Sequence, residues 1–192
     1  MFIESITKEA LAELPLHAFD GKIVLVDSQE QLEKAIAYLR DQDVLGFDTE
    51  TKPSFKRGQV HQVALLQLST SDKAFIFRIN KIGLPNALKD ILADEQIAKV
   101  GVAIRDDIKA LQKINRFTPQ GFIELQDEVK GYGIQDFSLK KITGIVLGFR
   151  ISKSQRLSNW EADELTEAQL SYAATDAWVA CEIFNSLIAA QS

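Results

Sequence analysis

VLGFDTETKPSFKRGQVHQVALLQLSTSDKAFIFRI, residues 44–79, carries three apolar runs. VLGFDTE (44–50), VALLQLST (63–70) and KAFIFRI (73–79) read as strands, and a Ser-Asp turn joins the last two into a hairpin. Three successive strands with no helix between them imply an antiparallel meander inside a mixed α/β sheet. Upstream, KIVLVD (22–27) is a buried strand. Ser28 and Gln31 then form a capping box, followed by Leu32, Ile36 and Leu39 at helical spacing. Residues 6–14 form a short amphipathic helix stopped by Pro15. Downstream, Pro85 opens a helix through Leu92, and IAKVGVA (97–103) is a strand. DDIKALQKI (106–114) is helical, with Ile108, Leu111 and Ile114 as its apolar stripe. A short strand around 122–125 and helices near 126–131 and 138–147 follow. Thr166 and Gln169 make a second capping box, which starts a long last helix to about Ala189.

The 192 residues suit one domain with one core, and no repeat, linker or low-complexity stretch divides residues 1–192. Hydrophobic (46%) and charged (26%) fractions are ordinary for a soluble globular chain. No apolar run approaches the ~20 residues of a membrane helix. The N-terminus, MFIESITKEALAEL, lacks the apolar core of a signal peptide. The lone cysteine, Cys181, fits a reducing compartment. A cytoplasmic protein without membrane contact is expected. The absence of G-x-G-x-x-G after the first strand and of G-x-x-x-x-G-K-[ST] excludes dinucleotide and phosphate-loop folds.

A net charge of −5 gives no whole-chain positive field of the kind that draws nucleic acid. Residues 137–156 nevertheless hold Lys140, Lys141, Arg150, Lys153 and Arg156 and no acidic residue. That run is either a basic patch on one side or a solvated helix-and-loop face.

Asp48 and Glu50, at i and i+2 near a strand end, project to one face about 7 Å apart. They are either a polar strand end in solvent or a pair that a cation would bridge. Asp106 and Asp107 open a helix just after a strand, where the helix dipole alone favours acidic residues. Asp176 lies inside a long helix among Ala173, Ala174, Ala177 and Val179, with Tyr172 one turn earlier on the same face. A carboxylate among small apolar residues needs a partner, and a metal is one option.

Taken together, these segments resemble the DEDD superfamily of 3′–5′ exonucleases, in its tyrosine-bearing branch. GFDTETKPSF is similar to the first family motif, VGVAIRDDIKAL to the second and LTEAQLSYAATDAW to the third. The likeness spans roughly residues 22–188, leaving 1–21 as an N-terminal helical extension. It implies a ribonuclease H-like fold with a five-stranded mixed sheet flanked by helices. Residue by residue, it implies metal-binding carboxylates at Asp48, Glu50, Asp107 and Asp176, with Tyr172 as the catalytic tyrosine. Where the sister branch has a histidine, this chain has Ser171; an ungapped alignment selects Asp107, and a one-residue slip would select Asp106.

Four carboxylates suit two divalent ions, Mg²⁺ or Mn²⁺, which activate water and stabilise the leaving oxygen. The resemblance also implies that the backbone at Thr49 and Glu50 contacts the terminal nucleotide. Phe55 is either a stacking surface for a base or an apolar anchor, and Lys153 and Arg156 are candidate phosphate contacts. Trp160, Trp178 and Cys181 read as structural, and His61 has no assigned role. The expected activity is removal of nucleotides from single-stranded 3′ ends of DNA or RNA. The alternatives are a catalytically silent binding or scaffold protein on the same fold, and a phosphohydrolase of free nucleotides.

Overall fold

Among the described residues, six strands form one sheet: β1 (Lys22–Val26), β2 (Val44–Thr51), β3 (Val63–Ser69), β4 (Lys73–Phe77), β5 (Ala98–Gly101) and β6 (Phe122–Glu124). The computed structural model describes residues 2–56 and 58–191. The spatial order is β1-β4-β3-β2-β5-β6. β3 runs antiparallel to β2 and β4, while the β1–β4, β2–β5 and β5–β6 pairs are parallel. The meander and the mixed sheet are therefore as read from residues 44–79.

The sheet has six strands where five were expected. The sixth is β6, whose three residues pair with Lys99, Val100 and Gly101 of β5. An edge strand needs a partner on one side only, so this short segment suffices to extend the sheet. Its position was legible at 122–125, but the resemblance had set the count at five.

The helices are α1 (Lys8–Glu13), α2 (Gln29–Leu39), α3 (Ile79–Ile82), α4 (Asn86–Ala93), α5 (Arg105–Ile114), α6 (Leu125–Glu128), α7 (Leu139–Leu147) and α8 (Glu167–Ala189). A 3₁₀ turn, Val129–Tyr132, follows α6. α2, α4 and α5 pack Ile36, Leu88 and Leu111 onto one face, against Phe47, Leu66 and Phe77. α8 covers the other face, with Ala173 and Ala174 among Leu65 and Ile76, and Ala180 and Ile183 beside Val100 and Ile142 of α7. Among the described residues, no helix is long and apolar enough to cross a membrane.

The helix starts follow from local chemistry. Thr166 and Gln169 complete a reciprocal capping box at α8. At α2, Ser28 accepts the Gln31 N–H, but the Gln31 side chain takes the N–H of Asp27, one residue before the cap. The N-terminal segment has only six helical residues, and its Ile6 and Leu11 pack with Ile142 and Ile145 of α7 and Leu187 of α8. It is stitched there by Gln135 N–H to the Glu4 carbonyl (2.7 Å), His17 N–H to the Arg150 carbonyl (2.9 Å) and Phe19 N–H to the Thr175 hydroxyl (3.0 Å).

Gly46 decides how closely α8 approaches β2. A Cβ there would stand 1.8 Å from the Ala177 carbonyl oxygen, a backbone atom that cannot step aside. Asp48 lies two residues after Gly46 on the same face, and Asp176 directly precedes Ala177. The contact that Gly46 permits therefore sets the distance between those carboxylates. Gly46→Ala is expected to cost about 1–3 kcal/mol through overpacking. The melting temperature should fall by roughly 2–12 °C, at the ~2–4 °C per kcal/mol usual for this size. Thermal melts of the variant check this; an unchanged melting temperature would mean that the helix seat is soft.

Candidate active site

β2 delivers Asp48 and Glu50 to the α8 face of the sheet, and α8 brings Asp176 to meet them. Each offers a carboxylate oxygen, and the three oxygens lie within 4.8 Å of one another. Pairing of β2 with β3 shifts register immediately after Glu50. Such a bulge bends the strand and strengthens its twist, and here it sits at the rim of the acidic site.

Burial and mutual repulsion dominate the electrostatics. Asp48 is raised well above the usual carboxylate range by burial first, then by Asp176 and Asp107. Glu50 is pushed up to about 9 by burial, then by Asp48 and Asp176. Asp176 is raised by burial, while Lys153 and then Tyr172 oppose the rise. Lys153 Nζ donates to Asp176 Oδ2 at 2.9 Å, and Asp176 Oδ1 is buried without a hydrogen-bond partner among the described residues. Three crowded carboxyls and an oxygen with no donor suit divalent cations. An oxygen-only donor set selects hard ions over zinc.

Tyr172 is buried one turn before Asp176, with its ring 5.8 Å from that of Trp160 and Lys153 Nζ 5.4 Å from its centroid. Burial raises the phenol pKa first, followed by the charges of Asp176, Glu50 and Asp48.

Asp107 reaches the strand end from the other face. α5 packs with Phe47, and Thr49 shares that side of β2. The Thr49 hydroxyl donates to Asp107 Oδ1. Asp107 is outside the close trio, although its charge raises both Asp48 and Glu50. Its own carboxyl is raised by burial and lowered by the Thr49 hydrogen bond. The Asp106 side chain is 94% exposed and pairs with Lys109 at 3.1 Å. Geometry therefore turns Asp107, and not Asp106, toward the strand end.

The basic run does not form one continuous patch. Lys141 pairs with Asp136 (2.6 Å), Arg150 Nε donates to the Leu14 carbonyl (3.0 Å), and Lys153 enters the acidic site. Arg156 is exposed in the turn before Trp160. Phe55 is 79% exposed, so it is no apolar anchor. Trp160 is fully buried, Trp178 stacks on Phe149 at 5.7 Å, and Cys181 is buried.

Glu124 was not singled out from the sequence. From the end of β6, its carboxylate accepts the N–H groups of Ala103 (2.8 Å) and Ile104 (2.9 Å). Ala103 has a φ of 59°, a left-handed conformation that a side chain disfavours. Glu124 thereby fixes the turn from which α5 carries Asp107. Only its place at the end of the strand beside β5 could have marked it.

A profile of the 3′–5′ exonuclease family matches residues 23–189. The chain belongs to this family. Within this DEDD exonuclease family, the mouse bifunctional 3′-5′ exonuclease/ATP-dependent helicase WRN is 36% identical over 184 residues. That match covers 91% of this chain and 13% of the mouse protein. Ribonuclease D of Bartonella henselae is 29% identical over 170 residues, covering 85% of this chain and 40% of the relative. The chain thus spans well under half of either relative. In structure, the chain is similar to the EXO domain of Aedes aegypti Nibbler, with a TM-score of 0.79 and 25% identity. There the likeness covers 89% of this chain and 90% of the other. DEDD exonucleases use divalent metals, and the acidic cluster is consistent with that.

Proposed function

We propose that this chain is an active 3′–5′ exonuclease that hydrolyses phosphodiester bonds from the 3′ end of a DNA or RNA single strand. The reading gives it two divalent ions, Mg²⁺ or Mn²⁺, nucleoside 5′-monophosphates as products and, on the lone Cys181, a cytoplasmic setting. The observation that carries it is the convergence of Asp48, Glu50 and Asp176 within 4.8 Å.

Asp48, Glu50, Asp107 and Asp176 would hold the ions. Bound there, the ions supply an activated water and neutralise charge on the leaving oxygen. The chain's own groups do the remainder. Thr49 holds the Asp107 carboxylate at the strand end. The backbone at Thr49 and Glu50 contacts the terminal nucleotide. Lys153 brings positive charge to the place where a phosphate would arrive, and Arg156 contacts the backbone further out. Phe55 offers an exposed ring for stacking, a contribution of ~1–3 kcal/mol per base. Tyr172, whose burial and carboxylate neighbours disfavour the phenolate in the metal-free site, positions the attacking water.

The test is a panel of 5′-labelled and 3′-labelled DNA and RNA, single-stranded and recessed, alongside free nucleotides, with Mg²⁺, Mn²⁺ or a chelator. Active wild type should shorten 5′-labelled strands in single-nucleotide steps and release the 3′ label as a mononucleotide, and the chelator should stop both. Hydrolysis of free nucleotides alone, or of nothing, would overturn the reading.

A further inference from the structure

Two loops flank the carboxylates. Residues 52–62 join β2 to β3, and residues 152–166 lead into α8. Phe55 (79% exposed) and Val60 (88%) lie on the first loop and Leu157 (61%) on the second. Both loops thus carry exposed apolar side chains that a base could meet.

One carboxylate ties the loops together. Glu161 Oε1 meets His61 Nδ1 at 3.1 Å, and Glu161 Oε2 meets Lys52 Nζ at 3.4 Å. Lys52 is the first residue of that loop and His61 the last but one, so Glu161 pinches the loop at its base. The other hydrogen bonds of the loop's described residues stay inside it, from Ser54 Oγ and Gln59 N–H to the Lys56 carbonyl. Glu161 itself is well placed, because it follows the fully buried Trp160, whose ring packs on Tyr172.

A partly exposed cluster of this kind contributes only ~0–1 kcal/mol to folding. Its effect lies in where it holds the loop. An untethered loop would have to be ordered at each binding event, and that entropy weakens the complex. The carboxylates sit on β2 and α8 and would not move.

We infer that Lys52, Glu161 and His61 form a latch that fixes the gap between the two loops and so positions the last nucleotides of a single strand over Asp48, Glu50 and Asp176. The inference rests on the exonuclease reading above for its occupant, single-stranded nucleic acid. The three are positioning residues, which touch neither the scissile phosphate nor the metal ligands.

The experiment compares a single-stranded oligonucleotide with the p-nitrophenyl ester of thymidine 5′-monophosphate, which has no second nucleotide for the loops to hold. Glu161→Gln and His61→Ala should each raise the oligonucleotide KM by about 2- to 5-fold, the scale of one weak ionic contact. Turnover at saturation and hydrolysis of the small ester should stay at wild-type levels. The double variant should be no worse than the worse single, and Lys52→Glu combined with Glu161→Lys should recover part of the loss. An unchanged KM, or an equal loss on both substrates, overturns the latch. Oligonucleotide affinity by fluorescence anisotropy keeps the two readings distinguishable. An inactive wild type sinks the exonuclease reading, whereas an affinity that Glu161→Gln leaves unchanged sinks the latch.

Discussion

Asp48→Asn should abolish hydrolysis and, in chelator, make the protein more stable at pH 8 than wild type. Both effects come from the same crowding. Asp48 is raised by burial and by Asp176 and Asp107, and Glu50 is raised to about 9, partly by Asp48. An acid whose folded pKa exceeds its unfolded value binds its proton more tightly in the folded state. The stability this gives is complete below the unfolded value and is lost as pH rises through the folded one. For Glu50 that window runs from the ordinary 4.5 to about 9. Metal-free wild type should therefore melt at progressively lower temperature from pH 5 to pH 9. Asparagine at 48 removes a charge that Glu50 feels, so the decline should flatten. Mg²⁺ or Mn²⁺ should raise the wild-type melting temperature most at the alkaline end, where the carboxylates are ionised, and do little for the variant.

The kinetic loss should be roughly 10³-fold or more, because a ligand set stabilising several kcal/mol of transition-state charge loses a member. Glu50→Ala, Asp107→Ala and Asp176→Ala should lose activity on the same scale, while Asp106→Ala should stay active. Melts in chelator across pH and single-turnover assays measure both halves. A flat pH profile would show that the repulsion is relieved some other way, and an active Asp48→Asn would end the two-ion reading.

The residues of this site differ in how well the sequence revealed them, and the difference is physical. Asp48 and Glu50 stand out because strand alternation alone puts i and i+2 on one face, and Tyr172 and Asp176 because one helical turn separates them. Both relations are local. The side of the sheet from which Asp107 arrives is not local: α5 lies opposite α8, and nothing in VGVAIRDDIKAL encodes that. Glu124 acts on a turn some 20 residues earlier in the chain, and Glu161 holds His61 across 100 residues. Contacts between loops of low regularity leave no period to read. The basic run left two readings open for a related reason. Composition showed the charges; Lys141 finds Asp136 next to the run, but the Leu14 carbonyl and Asp176 that take Arg150 and Lys153 come from elsewhere in the chain.

Tyr172→Phe should slow turnover by roughly 10²-fold or more, the scale of a lost catalytic hydrogen-bonding group. Substrate affinity and metal binding should remain close to wild type. A phenol ordinarily loses its proton near pH 10. Here burial and the charges of Asp176, Glu50 and Asp48 push that pKa further up, because a phenolate beside three carboxyls is disfavoured. Without metal ions the hydroxyl therefore keeps its proton, and a neutral phenol donates a hydrogen bond and does not act as a base. What it can do is hold a hydrogen bond in a fixed direction. The ring is set by Trp160 and covered by Lys153, and phenylalanine keeps both of those contacts. The pH–rate profile separates the two roles. If Tyr172 orients the water, the variant is slower at every pH and the profile keeps its wild-type shape. If the apparent pKa of the rising limb disappears with the hydroxyl, the phenol itself was titrating, and the positioning role is refuted.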